Sequence, residues 1–397
     1  MNNNENSSRP YAVWGAEQID EGSFDQMNNA VSLPIAVAGA LMPDAHVGYG
    51  LPIGGVLATH ETVIPYAVGV DIACRMRMTI FSVKPHMINQ QKDRFKNALL
   101  RETMFGAGKA WKGNDRAEHE VMDDPAWEAT WLLRGLKDKG YAQLGTSGSG
   151  NHFVEWGSFT LEGDDESLDL KAGQYLALLS HSGSRGVGFQ IANHYSGLAR
   201  EIHPELDKQV QHLAWLSMND ESGQEYWLSM ELAGRYAAAN HEVIHNRVAK
   251  IMGLKPAAVI ENHHNFAWKE TIHFGDEEIE VIVHRKGATP AGEGVLGIIP
   301  GSMGDPGFVV RGKGNSDAIN SASHGAGRTL SRRKARQSIT KTERNRYLKK
   351  RGITLIGGDL DEAPQAYKRI EDVIAAQSDL VDIVGEFMPI MVRMDGK

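Results

Sequence analysis

The amino-acid sequence predicts an α+β fold: one domain over residues 1–397, with central β-sheets flanked by helices. Stretches rich in β-branched residues and punctuated by Pro and Gly, at 34–83 and from 258 onward, read as strands joined by tight turns. Longer stretches between them, at 86–139 and 190–254, read as helix. No linker of biased composition divides the chain and no internal repeat is visible, so strands and helices belong to one intertwined unit.

Taken in order, residues 1–10 form a polar tail expected to be disordered, without the apolar centre of a signal peptide. In 34–83, Pro43, Gly48, Gly50, Pro52, Gly54 and Gly55 rule out helix. The helical stretch 86–139 has Pro125 as its clearest interruption. Residues 144–155 are a glycine loop entering a strand, and the acidic run 162–167 reads as a solvated hairpin tip leading to a strand at 175–181. Within 190–254, residues 224–251 are the clearest long helix. Strands resume at 258–263 and 278–284, and the last third ends in the apolar segment 383–392.

Composition bounds the function. Hydrophobic residues make up 41% and charged residues 23%, as in an ordinary globular protein, and the net charge of −8 leaves no global attraction for a polyanion. No apolar run approaches a membrane span. The single cysteine, Cys74, excludes an intrachain disulfide and fits a reducing, cytoplasmic setting. The 43 glycines cluster with His and Ser, as in loops that let backbone approach a ligand closely.

Ser323-His324-Gly325-Ala326-Gly327-Arg328, followed by Thr329-Leu330-Ser331-Arg332, leaves an imidazole approachable beside backbone N–H groups and guanidinium groups. A histidine nucleophile acting on phosphate needs that setting; a capped glycine turn before a basic helix is the bland alternative. His46, His152, His181, His264 and His324 all sit in small-residue loops, and His152, His181 and His264 stand at or near strand ends. With Asp71 and Cys74, spaced Asp-x-x-Cys, they make a mixed N/O/S set for two divalent ions that could clamp a phosphoryl group. A competing motif is His241-Glu242-Val243-Ile244-His245, a zinc-peptidase spacing with Glu261 downstream.

An ordered series of segments resembles the RtcB family of RNA-splicing ligases. It runs through Pro43-Asp44-Ala45-His46-Val47-Gly48-Tyr49-Gly50, Gly69-Val70-Asp71-Ile72-Ala73-Cys74, Gly150-Asn151-His152-Phe153-Val154-Glu155 and His181-Ser182-Gly183-Ser184-Arg185-Gly186. It continues through His263-His264-Asn265, His284-Arg285-Lys286-Gly287, Pro300-Gly301-Ser302-Met303-Gly304, His324-Gly325-Ala326-Gly327-Arg328 and Ala363-Pro364-Gln365-Ala366-Tyr367-Lys368. The resemblance implies ligation of an RNA 3′-phosphate or 2′,3′-cyclic phosphate end to a 5′-hydroxyl end, in tRNA splicing or RNA repair, with GTP and two manganese ions. Cys74 would bridge the ions, Asp71 and His152 completing one sphere, His181 and His264 the other. His324 would carry GMP. Asn151, Glu155, Ser302, Ala326, Gly327 and Tyr367 would cradle the guanylate, Arg185, Lys286 and Arg332 would hold RNA phosphates, and Asp44 would support the thiolate. RNA is the implied partner, as tRNA halves or cleaved RNA, together with an archease-like activator.

Residues 328–351 add eleven Lys or Arg against one acidic residue, Glu343, a candidate polyanion track. Two positions depart from the family pattern: Gly307 stands where a serine commonly meets the guanine, and Met394 where a lysine does, unless Lys397 reaches in. Altered nucleotide discrimination is expected. A metal-dependent RNA-binding protein with impaired ligation is the second reading, and the zinc peptidase the third.

Overall fold

The computed structural model describes residues 11–274 and 277–396; the expected N-terminal tail at 1–10 and Lys397 lie outside them. Two sheets organise the chain. The larger is ordered Leu296–Ile299, Gly307–Gly312, Val381–Met394, Phe153–Leu161, Gly173–Ser182, Arg75–Phe81 and Pro256–His263, with Thr354–Ile356 paired to the side of Val381–Met394. Its alternation is legible in Arg75–Phe81. Met76, Met78 and Ile80 point to one face and join an apolar cluster with Phe159, Leu179, Ile260, Ile298 and Phe387. Arg75 and Arg77 on the other face pair with Glu261 at 3.1 and 2.9 Å.

The ends of this sheet meet through a side chain. Asn262 accepts from Ile298 N at 2.9 Å and donates to Ile298 O at 3.3 Å, so an amide takes the place of a strand neighbour and bends the sheet towards a barrel. The second sheet is ordered Ala12–Val13, Ala36–Tyr49, Leu51–Thr59, Glu277–Lys286 and Asn265–Phe274. Its central hairpin, Ala36–Tyr49 with Leu51–Thr59, is longer than the short strands expected. Pro43 is tolerated because the register shifts between Leu41 and His46, lifting Met42–Ala45 out of the ladder. Gly54, at φ 87°, lies opposite this bulge, where a Cβ would come within 2.8 Å of the Ala45 Cα.

The long helix Glu221–Met252 forms as expected and packs Tyr226, Met230, Ala233 and Ala237 into the largest apolar cluster. The expected helix at 86–139 is interrupted more than Pro125 implied. Lys92–Glu102 and Trp131–Gln143 are helical, but between them Gly106, Gly108 and Gly113 take positive φ and only short 3-10 turns form. Thr130 then caps the second helix by accepting from Leu133 N at 3.2 Å. Residues 203–220 likewise hold little helix, and the strand Asn265–Phe274 was not anticipated. The acidic tip at 162–167 is partly used: Asp165 pairs with Arg311 at 2.7 Å. Among the described residues, no helix is long and apolar enough to cross a membrane.

Candidate active site

Four adjacent strands of the larger sheet end on the same side, and each delivers a ligand-type side chain. His152 precedes Phe153–Leu161, His181 lies near the end of Gly173–Ser182, Cys74 precedes Arg75–Phe81, and His264 follows Pro256–His263. Cys74 Sγ lies 3.0 Å from His181 Nε2 and 3.5 Å from His152 Nε2. His181 Nε2 is 3.2 Å from His264 Nε2, and Asp71 Oδ2 is 3.0 Å from His152 Nε2. The Asp71–Cys74 turn holds Ala73 at φ 56°, a left-handed conformation that few non-glycine residues adopt and that is more frequent where geometry serves a site.

The donor chemistry fits divalent ions. His152 Nδ1 donates to Ser147 O at 2.9 Å and His181 Nδ1 to Asn151 O at 3.2 Å, which leaves both Nε2 lone pairs facing the thiol. Burial, then the neighbouring His152, pushes the His181 imidazole down to about 3, and burial with His324 carries His264 well below the usual range. These rings are therefore neutral donors at physiological pH. Burial, then Asp71, pushes the Cys74 thiol well up, whereas Asp71 is held at about 2 because His152 and Arg185 outweigh its burial. The thiol proton can serve only one of the two facing imidazoles, whereas a cation placed among the donors would be held by all of them.

His324 follows the short strand Ser321–Ser323, its ring centroid 4.9 Å from that of His264. Its Nδ1–H donates to Asp44 Oδ2 at 2.6 Å, and the same oxygen accepts from His324 N at 3.1 Å and Gly325 N at 3.3 Å. Burial alone would raise the Asp44 carboxyl, but His324 and Lys368 outweigh it and hold it below the usual carboxylate range. Lys368 Nζ donates to Pro43 O at 2.8 Å and Ala45 O at 2.9 Å, fixing the bulge on both sides of Asp44. Gly327, at φ 72°, brings the loop against Asp44 so closely that a Cβ would lie 2.1 Å from its carbonyl oxygen.

One cavity of about 650 Å³ joins the cluster to His324. Its wall includes Asn151, Ser302, Ala326, Gly327, Tyr367, Lys286 and Arg332 from the sequence reading. A family model described as "tRNA-splicing ligase RtcB" matches residues 26–395. The chain belongs to the RtcB family. It is 32% identical over 402 residues to the RNA-splicing ligase RtcB of Escherichia coli strain K12, covering 94% of this chain and 95% of that one. It is 31% identical over 433 residues to the tRNA-splicing ligase RtcB of Methanococcus maripaludis, covering 90% and 88%. Against that of Archaeoglobus fulgidus it is 30% identical over 423 residues, covering 90% and 87%. Membership in RtcB makes the chain an RNA ligase of tRNA splicing or repair.

Several expected contacts fall elsewhere. Asp44 serves His324, not the Cys74 thiol: it lies in the bulge between Leu41 and His46 and its carboxylate accepts from His324 Nδ1. Glu155 does not line the RtcB cavity. It is buried opposite Val392, two ladder positions inward from Phe153 and Met394, which do line it, and on the same face of the strand as Phe153, and burial raises its carboxyl well above the usual range. Met394 thus holds its expected place, whereas Gly307 lies in a ladder with Phe387, away from the wall. Arg185 turns beneath the glycine loop, its guanidinium 3.3 Å from His152 Nδ1, and is not on the wall. His46 lines the cavity but binds Asp44 O at 3.0 Å and stays outside the cluster.

The zinc-peptidase reading fails. His241 and His245 are buried inside the molecule, each 2.7 Å from Ser180 Oγ, and His245 is also 2.7 Å from Thr79 Oγ1. Glu242 points to the opposite, exposed side of the helix, 3.7 Å from His119, and Glu261 is spent on Arg75 and Arg77. The acidic pair Asp361 and Glu362 is not among the residues singled out from the sequence. Asp361 Oδ2 accepts from Arg332 at 3.0 Å and Arg336 at 2.9 Å, and Glu362 binds Arg332 and Arg328. Tyr367 OH donates to Glu362, and Arg328 donates to Tyr367 OH at 3.1 Å.

Lys286 is buried, donates to Tyr49 O, and burial pushes its ammonium down to about 7. The unfolded chain keeps this proton to about pH 10.4. The folded state therefore binds fewer protons between about pH 7 and pH 10, and stability rises with pH across that window. Urea melts at about pH 6.5 and about pH 9 are expected to show the rise, with most of it lost in Lys286→Met.

Proposed function

We propose that this RtcB protein joins an RNA 3′-phosphate or 2′,3′-cyclic phosphate end to a 5′-hydroxyl end through a guanylylated His324. GTP is the nucleotide donor, and Asp71, Cys74, His152, His181 and His264 hold two manganese ions. The substrates are tRNA halves or cleaved RNAs in the cytoplasm, with an archease-like activator as implied partner. The observation that carries this reading is the His324 ring, whose Nδ1 proton is committed to Asp44 while the ring lines the same cavity as the Cys74 cluster.

Nε2 then has its lone pair free. It forms a bond to the α-phosphorus of GTP as the α–β bridge breaks and pyrophosphate leaves with the bond electrons. Asp44 stabilises the positive charge that develops on the ring. An oxygen of the RNA 3′-phosphate, generated by hydrolysis where the end is cyclic, displaces the imidazole and takes the GMP. The 5′-hydroxyl then attacks the RNA phosphorus, forms the new phosphodiester and expels GMP. Divalent ions, when bound, supply Lewis acidity for the phosphate oxygens and favour deprotonation of the attacking hydroxyl. Ser302 and the Ala326–Gly327 turn stand along the cavity wall to orient the nucleotide, and Arg332 and Lys286 bring positive charge to it.

The apolar part of the wall, which in this reading receives the base, includes Met303, Met394 and Phe153. Apolar walls reject an alternative base weakly, by factors of about 100 at most. Incubation with manganese and α-labelled nucleotide tests both points. GTP is expected to leave acid-labile label on the protein, and ATP to do so within about 100-fold of the GTP rate. Strict rejection of ATP overturns the altered base pocket alone; no label from GTP, with RNA still bound, favours an RNA-binding protein that has lost ligation.

A further inference from the structure

At the mouth of the cavity stands a group of rings that the ligation cycle does not use. Tyr49, at the tip of the central hairpin, is 66% exposed. Its ring meets Tyr66 edge-on at 6.3 Å and His212 edge-on at 5.8 Å, while Tyr66 and His212 lie 4.7 Å apart. The tip is pinned in place. Gln26 exchanges hydrogen bonds of 2.8 and 3.0 Å with the Gly48 backbone, and Lys286 donates to Tyr49 O. The Lys286 ammonium also stands 5.2 Å from the centre of the Tyr66 ring. Val47 and Val70, 54% and 37% exposed, line the same cavity. Asp20, the acidic residue nearby, is committed to capping a helix by accepting from Ser23 N at 2.9 Å.

A tyrosine that is 66% exposed and braced by two neighbouring rings at the rim of this cavity is pre-organised for a flat partner on an anionic chain. Unpaired nucleobases stack on such rings. We propose that Tyr49, backed by Tyr66 and His212, is a stacking platform for an unpaired RNA base next to the strand end that enters the cavity. The inference rests on the ligase reading for its choice of RNA.

Single-stranded oligoribonucleotides carrying 2-aminopurine near one end, in a 3′-phosphate set and a 5′-hydroxyl set, test it. Wild-type protein is expected to quench the fluorescence of one set. Tyr49→Ala is expected to abolish that quenching and weaken binding by about 5- to 150-fold, with Tyr49→Phe retaining both. Thermal melting confirms that the variants fold. Wild-type quenching and affinity in Tyr49→Ala overturn the platform. Label from α-labelled GTP on the wild type, run in parallel, separates the two failures. Label without any effect at Tyr49 sinks the platform alone, and stacking without label sinks the ligation cycle while leaving the platform standing.

Discussion

Asp44→Asn is expected to slow nucleotide transfer onto His324 by about 10²–10⁴-fold, and His324→Ala to abolish it. A neutral amide cannot hold the proton on Nδ1 as a carboxylate does, nor stabilise the imidazolium that forms as the ring attacks. The contact is short, at 2.6 Å, and Asp44 is fully buried, so solvent does not dilute the interaction. Removing the imidazole leaves that buried carboxylate with only the backbone N–H groups of positions 324 and 325 and the nearby Lys368, at a cost of up to about 3 kcal/mol, and melting must therefore accompany the rate measurement. The double variant Asp44→Asn/His324→Ala removes charge and nucleophile together and is expected to regain stability but not label. An Asp44→Asn protein labelled at the wild-type rate would show that the carboxylate does not act on the ring.

The second large effect is expected at Cys74. Cys74→Ala removes the atom shared by both proposed ion sites, so bound manganese is expected to fall from about two ions per chain to about one or none. Asp71→Ala and His264→Ala, at opposite ends of the cluster, are each expected to lose about one. Metal content after gel filtration, with the electron paramagnetic resonance of coupled manganese as a second readout, distinguishes these outcomes. Retention of two coupled ions by Cys74→Ala removes the bridging role. Alanine at this small buried position leaves only a modest void, so loss of metal is separable from loss of fold.

The cluster of Cys74, His152 and His181 was legible because its members stand where apolar strands break at glycine or small residues, and strand ends are local features. The Asp44–His324 contact was not, since 280 positions separate its partners and only the bulge brings them together. Glu155 misled for a related reason. It shares a strand face with Phe153, but two ladder positions separate the pair that lines the cavity from the buried pair behind it. In the stretch 103–130, glycines at positive φ and short-range caps prevailed over helical composition. The histidine pair in the long helix matched a zinc motif by spacing alone, whereas its hydroxyl partners come from strands far away in sequence.

The carboxylates of Asp361 and Glu362 also change what the basic segment can do in salt. Of its eleven cations, Arg328, Arg332 and Arg336 face that pair, Arg344 is buried against Gly358 O, and Arg351 lies 3.6 Å from Asp305. Five are thus engaged, and six remain exposed: Arg333, Lys334, Lys341, Arg346, Lys349 and Lys350. A single strand lying along them can shed counterions against about six charges, giving a logarithmic salt slope from this segment near −4 where eleven would give near −8. The fold thereby trades grip for tolerance of ionic strength, and Arg328 and Arg332, which line the cavity, are held in fixed positions there by the acidic pair.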